Sequence, residues 1–389
     1  MTKKWSSRLT FFAFVVLMVG LGSNDSLRGI FSTIFQEHFS LTTTQLGLIV
    51  TASYIGNLVF LLVGGNLSTR FSKKRVLQVL ILIWMAALAL FAFTSNYMVL
   101  LIGMALALGS STLLNTTMNL ITPLLFATAP GFFVNFLFFT QEIGTSGSQY
   151  ILGSHADGFA FWQHTNLVLL ILGAVAFVLL LFCNVPEEAA APADAPAQKG
   201  GYDWRIIVPY VLVFGFYFIA EHGVMNWMVA YGVDGLGLPQ ASAAKYLSVF
   251  FGGMMIGRLC LSPLVDKLGA LKSLAAFGGV SCVLYLIGSL GGAVTMPVWA
   301  ISGLSFSILY PTLVMSIRLY FPAQQVSGAA GTILSIASLA DILFNVGFGK
   351  LVDMTGYAVS IRVLPLSALA FFIVFILFTK FCKPTQKLK

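Results

Sequence analysis

The sequence predicts an all-α integral membrane protein with twelve transmembrane helices in two related bundles of six. Three observations support this prediction: the composition, the spacing of twelve apolar segments and the placement of the basic residues. Of the 389 residues, 58% are hydrophobic and only 9% are charged, whereas an ordinary soluble domain is about 45–50% apolar and about 25% charged. The composition therefore excludes a soluble enzyme, a disordered chain and a nucleic-acid-binding domain.

Most of the twelve segments are long enough to cross a bilayer, which takes about 20 residues of helix. Their apolar residues are continuous rather than alternating, so helices are predicted rather than the strands of a barrel. In chain order the predicted spans are 9–32, 45–65, 75–94, 97–122, 131–153, 164–184, 204–232, 243–265, 271–291, 295–320, 327–350 and 360–382.

The longest hydrophilic stretch, from Pro186 to Trp204, separates the sixth span from the seventh. It is rich in Ala and Pro, a composition typical of a linker. We therefore predict an N-terminal six-helix bundle at 1–185, a cytoplasmic linker at 186–203 and a C-terminal six-helix bundle at 204–389.

The basic residues lie mostly on one side of these spans. If the N-terminus is cytoplasmic, sixteen Lys and Arg residues lie on the cytoplasmic side and three, Lys245, Lys350 and Arg362, lie on the other. Because cytoplasmic loops carry an excess of Lys and Arg, both termini are predicted to be cytoplasmic. The net charge of +8 is thus explained without a nucleic-acid partner. We expect a monomeric multi-pass protein of a plasma membrane, as in a bacterial inner membrane.

Acidic residues occur at matching places in the two halves. Asp25 and Glu221 lie deep in the first span of each half, and Glu142 and Asp341 lie midway along the fifth. Paired halves with a substrate site at their interface are the arrangement that a secondary transporter needs. No nucleotide-binding motif, cofactor site or metal site is indicated, and no catalytic cluster that would make the chain an enzyme.

A short basic turn follows the second span and reads GNLSTRFSKK from Gly65 to Lys74. It resembles the motif Gly-x-x-x-Asp-Arg-x-Gly-Arg-Arg of the major facilitator superfamily, with Thr69 in place of the Asp and Ser72 in place of the second Gly. The counterpart after the eighth span keeps the acid, as Asp266 in DKLG. The resemblance implies the major facilitator fold. It also implies that Arg70, Lys73, Lys74 and Asp266 act in gating at the cytoplasmic face.

Within that superfamily the chain resembles the fucose:proton symporter group. The resemblance rests on Asn24 and Asp25, Asn119, the Tyr310-Pro311-Thr312 run, and the segment from Glu221 to Trp227. It implies that the first-span acid, Asp25, acts in proton coupling and sugar binding. The group's fourth-span acid aligns with Asn115, which cannot titrate, so Glu142 or Glu221 must supply any second titrating site.

Charged residues at membrane depth are costly and are functional candidates by default. Arg28 is three residues after Asp25, so the two share a helix face and could form a switchable contact. A permanent structural ion pair is the alternative, and His222, beside Glu221, is a further candidate proton shuttle. The predicted proton-coupling residues are Asp25, Arg28, Glu142, Glu221 and Asp341.

Amide side chains and an indole within spans suit a neutral, hydroxyl-rich solute, because amides pair with hydroxyls and an indole packs against a sugar ring. The alternative is hydrogen bonding between helices. Arg258, in the eighth span, is predicted either to act in gating or to extend to the interface. The predicted substrate-binding residues are Asn115, Asn119, Gln141, Glu221, Asn226 and Trp227.

Three functions compete at this point. The first is a secondary active transporter that moves a small polar solute, with a sugar favoured, by alternating access coupled to a proton or another cation. The second is a proton-coupled exporter of drugs or amphipathic compounds, which the 35 Phe residues suit. The third is a membrane enzyme or receptor, which does not need two matched halves.

Overall fold

Helices form every regular element of the described residues, as the continuous apolar segments predict. The computed structural model describes residues 3–126, 130–183, 185 and 203–384, except for the side chains at 3–5, 63–70, 130–132, 135, 266, 323–324 and 327. The chain divides into two units, Met1–Ala195 and Pro196–Lys389. The division falls inside the predicted linker, of which 186–202 lies outside the described residues, and the domain boundaries stay a prediction.

The described part of the N-terminal unit contains six long helices and one short one. The short helix, α2, follows the first span and was not predicted from the sequence. The helices are α1 (Lys3–Ile30), α2 (Ser32–His38), α3 (Thr43–Arg70), α4 (Lys73–Phe93), α5 (Tyr97–Leu125), α6 (Pro130–His155) and α7 (Phe159–Leu181).

The C-terminal unit repeats this plan, with a π-helical turn at Tyr231–Gly235 after its first helix and short 3-10 segments on both sides of the broken tenth span. Its helices are α8 (Trp204–Ala230), α9 (Gln240–Leu268), α10 (Ala270–Leu290), α11 (Met296–Ile301), α12 (Gly303–Phe306), α13 (Leu309–Ser316), α14 (Ala323–Thr355), α15 (Tyr357–Ser360) and α16 (Val363–Phe381).

The twelve predicted spans are confirmed, although only eleven are recognisable by apolarity. Eleven helical segments among the described residues are long and apolar enough to cross a membrane. The remaining helix, α6, has 26 residues, and polar side chains such as Gln141, Glu142 and Thr145 lower its hydropathy. The long helix that is missing from these eleven is therefore one that carries candidate site residues.

The tenth span is broken into α11, α12 and α13, which the apolar pattern does not predict. Pro311 has no backbone N–H to donate to the carbonyl of Ser307, so the helix is interrupted just before α13. The hydroxyls of Ser302, Ser305 and Ser307 also donate to carbonyls three residues earlier, at 2.6, 3.0 and 2.7 Å. Such bonds compete with the helical pattern and bend it.

Glycines allow the second and fourth spans of each unit to cross closely. A Cβ added at Gly56 on α3 would lie 2.0 Å from the carbonyl oxygen of Ala105 on α5. In the C-terminal unit, a Cβ at Gly303 on α12 would lie 2.0 Å from the carbonyl oxygen of Phe250 on α9. The same contact therefore recurs in both halves, as the related halves predict, and small residues at such crossings are usual in membranes.

Candidate functional site

The first-span acid, Asp25, lies on α1 and is partly exposed. Its Oδ2 accepts a hydrogen bond from Ser111 Oγ on α5 at 3.1 Å. Its Oδ1 is buried and has no hydrogen-bond partner among the described residues. The carboxyl group is therefore held by one hydrogen bond, and its second oxygen is buried without one.

Arg28 is one turn further along α1 and only 6% exposed. Its guanidinium lies over the ring of Tyr54 on α3, 5.7 Å from the ring centroid, and its charge acts on Asp25. Within the described residues, however, no ion pair closes between Asp25 and Arg28. The two charges thus lie near each other, as predicted, but they do not form an ion pair.

Three of the predicted substrate-binding amides form one hydrogen-bonded chain. Asn119 Nδ2 donates to Asn115 Oδ1 at 2.6 Å, and Asn115 Nδ2 donates to Gln141 Oε1 on α6 at 2.6 Å. All three side chains are half-buried. Ser111 and Asn115 are one turn apart on α5, so the amide chain and the Asp25 contact lie on one face of that helix.

The same network returns to the first span. Thr145 Oγ1 on α6 donates to the carbonyl of Gly22 on α1 at 3.2 Å, and Ser23 Oγ donates to the carbonyl of Gly144 at 3.3 Å. A polar network thus joins α1, α5 and α6 within the N-terminal unit. Glu142 follows Gln141 on α6 and is half-buried.

In the C-terminal unit, Glu221 and Arg258 lie around the same tyrosines. Glu221 on α8 is 9% exposed, and its charge acts on Tyr217, Tyr310 and Tyr285. The charge of Arg258 on α9 acts on Tyr217 and Tyr310 as well. Sequence reasoning predicted separate roles for these two charges, whereas the structure brings both to one group of phenol rings.

The halves also hold their first-span acids in comparable ways. Trp84 Nε1 on α4 donates to Asn24 Oδ1, the neighbour of Asp25, at 3.2 Å. Tyr285 OH on α10 donates to the carbonyl of Ala220, the neighbour of Glu221, at 2.5 Å. The third span of each unit therefore contacts the residue just before the acid.

The structure pairs His222 with Asp341, a contact that sequence reasoning missed. His222 Nδ1 contacts Asp341 Oδ2 across α8 and α14, with side chains 25% and 2% exposed. The imidazole also stacks on Phe218, with ring centroids 5.2 Å apart. Both residues were candidates, but no periodicity or motif links a residue of the seventh span to one of the eleventh.

The expectation that Trp227 presents its indole to a solute does not hold in this conformation. Trp227 is 0% exposed, and its Nε1 donates to Asn345 Oδ1 on α14 at 2.9 Å. Asn345 Nδ2 in turn donates to the carbonyl of Asp341 at 2.8 Å. Asn226 is 2% exposed. For Trp227 the alternative of inter-helix hydrogen bonding describes the observed contact.

Of the predicted gating residues, Lys74 has a clear structural partner. Its Nζ donates to the carbonyls of Leu181 and Cys183 at 3.0 and 2.7 Å. It thereby satisfies carbonyl groups at the C-terminal end of α7. Lys73 is buried at the start of α4, while the side chains of Arg70 and Asp266 lie outside the described residues.

Sequence reasoning also missed the hydroxyl groups that surround the acids. Ser111, Thr145, Tyr217 and Tyr285 were not selected, because hydroxyls are common in membrane helices and usually bond within their own helix. The one available signal was spacing, since Ser111 is one turn before Asn115. In the part of the chain that the structure describes, no group of three or more His, Cys, Asp or Glu side chains could hold a metal ion.

Two six-helix units with buried charges inside their spans define a polytopic membrane transporter. The sequence profile of the Major Facilitator Superfamily matches residues 10–340. The chain belongs to the Major Facilitator Superfamily, and its members compared below are transporters.

Several relatives have assigned solutes. The chain is 23% identical to the L-fucose-proton symporter of Escherichia coli over 74% of this chain and 75% of the relative. It is 27% identical to a glucose/galactose transporter of Brucella abortus over 82% and 81%, and 23% identical to the cis,cis-muconate transport protein of Acinetobacter baylyi over 71% and 70%. The solved D-xylose-proton symporter superposes with a TM-score of 0.78 at 15% identity, over 99% of both chains, and supports the fold alone.

Proposed function

We propose that the chain is a proton-coupled symporter of a small hydroxyl-rich solute, with a sugar as the leading class, working by alternating access. The observation that carries the proposal is the network around Asp25, in which a carboxyl group, a hydroxyl and three amides follow one another across α1, α5 and α6. Such a set offers both donors and acceptors to hydroxyl groups. The names of the fucose and glucose/galactose relatives support the same class.

In this proposal Asp25 takes up and releases the coupling proton, because a bare charge crosses the apolar barrier only at high cost. Ser111 positions the carboxyl group through its hydrogen bond and Arg28 acts on it through its charge, while Asn115, Asn119 and Gln141 bind solute hydroxyls. We propose a secondary role in the transport cycle for Glu142, Glu221, Asn226 and the His222–Asp341 pair. The gating roles of Arg70, Lys73, Lys74, Arg258 and Asp266 stay predictions.

We also propose a place and an orientation for the protein. The distribution of Lys and Arg supports cytoplasmic termini, and the bacterial relatives support a bacterial inner membrane. A monomer in the lipid bilayer completes the proposal.

Export of amphipathic compounds is the second candidate, which the high Phe content favours. One aromatic cluster, however, packs on itself: Phe126 and Phe133 stack at 3.8 Å between centroids, and Phe11 meets both rings edge-on at 5.0 and 5.1 Å. Rings engaged with each other leave less aromatic surface for a lipophilic solute. This cluster therefore weighs against the exporter.

The decisive experiment measures radiolabelled sugar uptake into proteoliposomes with and without an inward proton gradient. Asp25→Asn should abolish gradient-driven accumulation and leave solute exchange measurable, because the amide keeps the polarity of the site but cannot carry a proton. Ser111→Ala, which removes one hydrogen bond and keeps the carboxyl group, should retain accumulation at a reduced rate. Wild-type accumulation by Asp25→Asn would remove Asp25 from coupling, and gradient-driven efflux of lipophilic dyes without sugar uptake would establish the exporter.

A further inference from the structure

We propose that Arg28 binds a carboxylate of the transported solute, so that the solute is a hydroxylated organic acid such as a sugar acid; this inference rests on the proposed symport function. Arg28 is 6% exposed, yet no hydrogen bond or ion pair of its guanidinium occurs among the described residues, and its Nε is buried without a partner. A buried charge without a hydrogen-bonded counter-ion is unusual, because such charges are normally paired. We assign the missing partner of the Arg28 guanidinium to the carboxylate of the solute.

Asp25 is not the hydrogen-bonded partner of the Arg28 guanidinium. Its Oδ2 is engaged by Ser111 at 3.1 Å, its Oδ1 has no partner, and the described contacts include no ion pair with Arg28. Two buried polar atoms without a hydrogen-bond partner among the described residues thus lie one turn apart on the same helix. A solute carboxylate fits the guanidinium, which binds planar anions through paired N–H donors, and it also reaches Asp25.

Charge accounting favours a carboxylate over a neutral sugar. The empty site with ionised Asp25 and cationic Arg28 has no net charge. Adding a carboxylate and a proton together also gives no net charge, whereas adding either alone leaves one unit of charge in the membrane. Since a net charge is costly there, only the empty and the doubly loaded states cross readily. Obligatory one-to-one symport of a proton and an anion follows from these two residues.

The rest of the network specifies what the acid carries. The amide chain of Asn119, Asn115 and Gln141 starts one turn from Ser111 on the same face of α5. Amides one turn from the residue that holds Asp25 suit the hydroxyl groups of a solute whose carboxylate binds Arg28. The expected ligand therefore combines one carboxylate with several hydroxyls.

Arg28 is the charge that acts on Asp25 within the described residues. Uptake of an anion beside Asp25 favours the protonated carboxyl group, so the apparent affinity for the acid should fall as pH rises. The other titratable and charged groups on α1 and on the helices packed around this pair are Lys3, Lys4 and Arg8 on α1, Tyr54 and Arg70 on α3, Glu37 and His38 on α2, Tyr97 on α5, Glu142, Tyr150 and His155 on α6, and His164 on α7.

The test compares D-galacturonate with D-galactose in proteoliposomes containing the full chain. Wild-type protein should accumulate galacturonate under an inward proton gradient without net charge movement on a supported membrane, because the proton and the anion cancel. Arg28→Gln should weaken galacturonate binding by about 100-fold, and Arg28→Lys should weaken it less. Arg362→Gln, which removes an exposed arginine of the C-terminal unit, should leave binding unchanged. Asp25→Asn should bind galacturonate with little pH dependence.

The wild-type measurement keeps the inference testable even if an Arg28 variant fails to fold. Electrogenic accumulation of galactose with no galacturonate uptake would overturn the carboxylate inference and leave proton-coupled sugar symport standing. Absence of gradient-driven uptake of both sugars would overturn the proposed function as well. Unchanged galacturonate binding in folded Arg28→Gln would remove Arg28 from the site.

Discussion

At the scale of single residues, the structure separates polar side chains that bond to a partner on another helix from those that keep a buried polar atom without a hydrogen-bond partner. Trp227 and Asn345 satisfy each other across α8 and α14, whereas Asp25 and Arg28 each keep an unpartnered polar atom among the described residues. Both kinds look alike in sequence, as polar residues in apolar spans. What distinguishes them is the partner on a distant helix.

The first residue-scale prediction concerns Trp227→Phe. The substitution removes the bond to Asn345 and part of a fully buried side chain, so the folded protein should lose about 1 kcal/mol or more. Solute affinity should be unchanged, because the indole is enclosed within the C-terminal unit. Thermal unfolding in detergent and a binding titration measure the two quantities. Trp204→Phe, at a tryptophan that is 58% exposed, is the control and should alter neither; weaker binding by Trp227→Phe at unchanged stability would restore the substrate-binding role.

The sequence predicts part of the candidate site for a physical reason. Asp25, Asn115, Gln141 and Asp341 could be selected because polar groups are rare and costly in lipid. The pairing of His222 with Asp341 could not be predicted, because it depends on the rotation of two helices that are far apart in the chain. Burial of Trp227 could not be predicted for the same reason.

At the scale of helices, the N-terminal unit holds α1 against α6 through glycine contacts. A Cβ added at Gly144 would lie 2.1 Å from the carbonyl oxygen of Val19, and one at Gly22 would lie 2.0 Å from that of Gln141. Because Gln141 and Asp25 belong to these two helices, this contact sets the spacing of the polar network.

Gly144→Ala should therefore separate α1 from α6 and remove solute binding, together with a clear loss of thermal stability. Gly147→Ala is the matched control on the same helix, because a Cβ there meets no atom within 4 Å. Binding and melting of the two purified variants give the comparison. Equal behaviour of both variants would show that α1 and α6 can move apart without damage to the site.

The breaks in the tenth span are a feature of a helix that the sequence did not predict. Hydropathy gives the length of that span correctly, since apolar character does not depend on local hydrogen bonding. The positions of its breaks follow from Pro311 and from serine hydroxyls that donate to nearby carbonyls. Each signal is weak by itself because serine and proline also occur in continuous membrane helices.

At the scale of the whole molecule, the number of spans and the relation of the two halves could be predicted, because both depend on properties summed over many residues. The orientation in the membrane rests on the sixteen-to-three distribution of basic residues. Cysteines introduced at Lys272 and Lys245 in a background without Cys183, Cys260, Cys282 and Cys382 should test it. Lys272→Cys should react with an impermeant thiol reagent only from the cytoplasmic side and Lys245→Cys only from outside; the reverse pattern would invert the topology.

The close crossings at Gly56 and Gly303 also limit which mutations of the gene are tolerated. In each, the space that a side chain would need is already occupied by a carbonyl oxygen of another helix 2.0 Å from the ideal Cβ position. Every missense mutation of a glycine codon adds at least that one carbon, so no amino-acid replacement at these two codons is neutral. In a saturation library selected for uptake, both codons should return only synonymous changes, while Gly331 and Gly347, where a Cβ meets nothing within 4 Å, should accept alanine and serine.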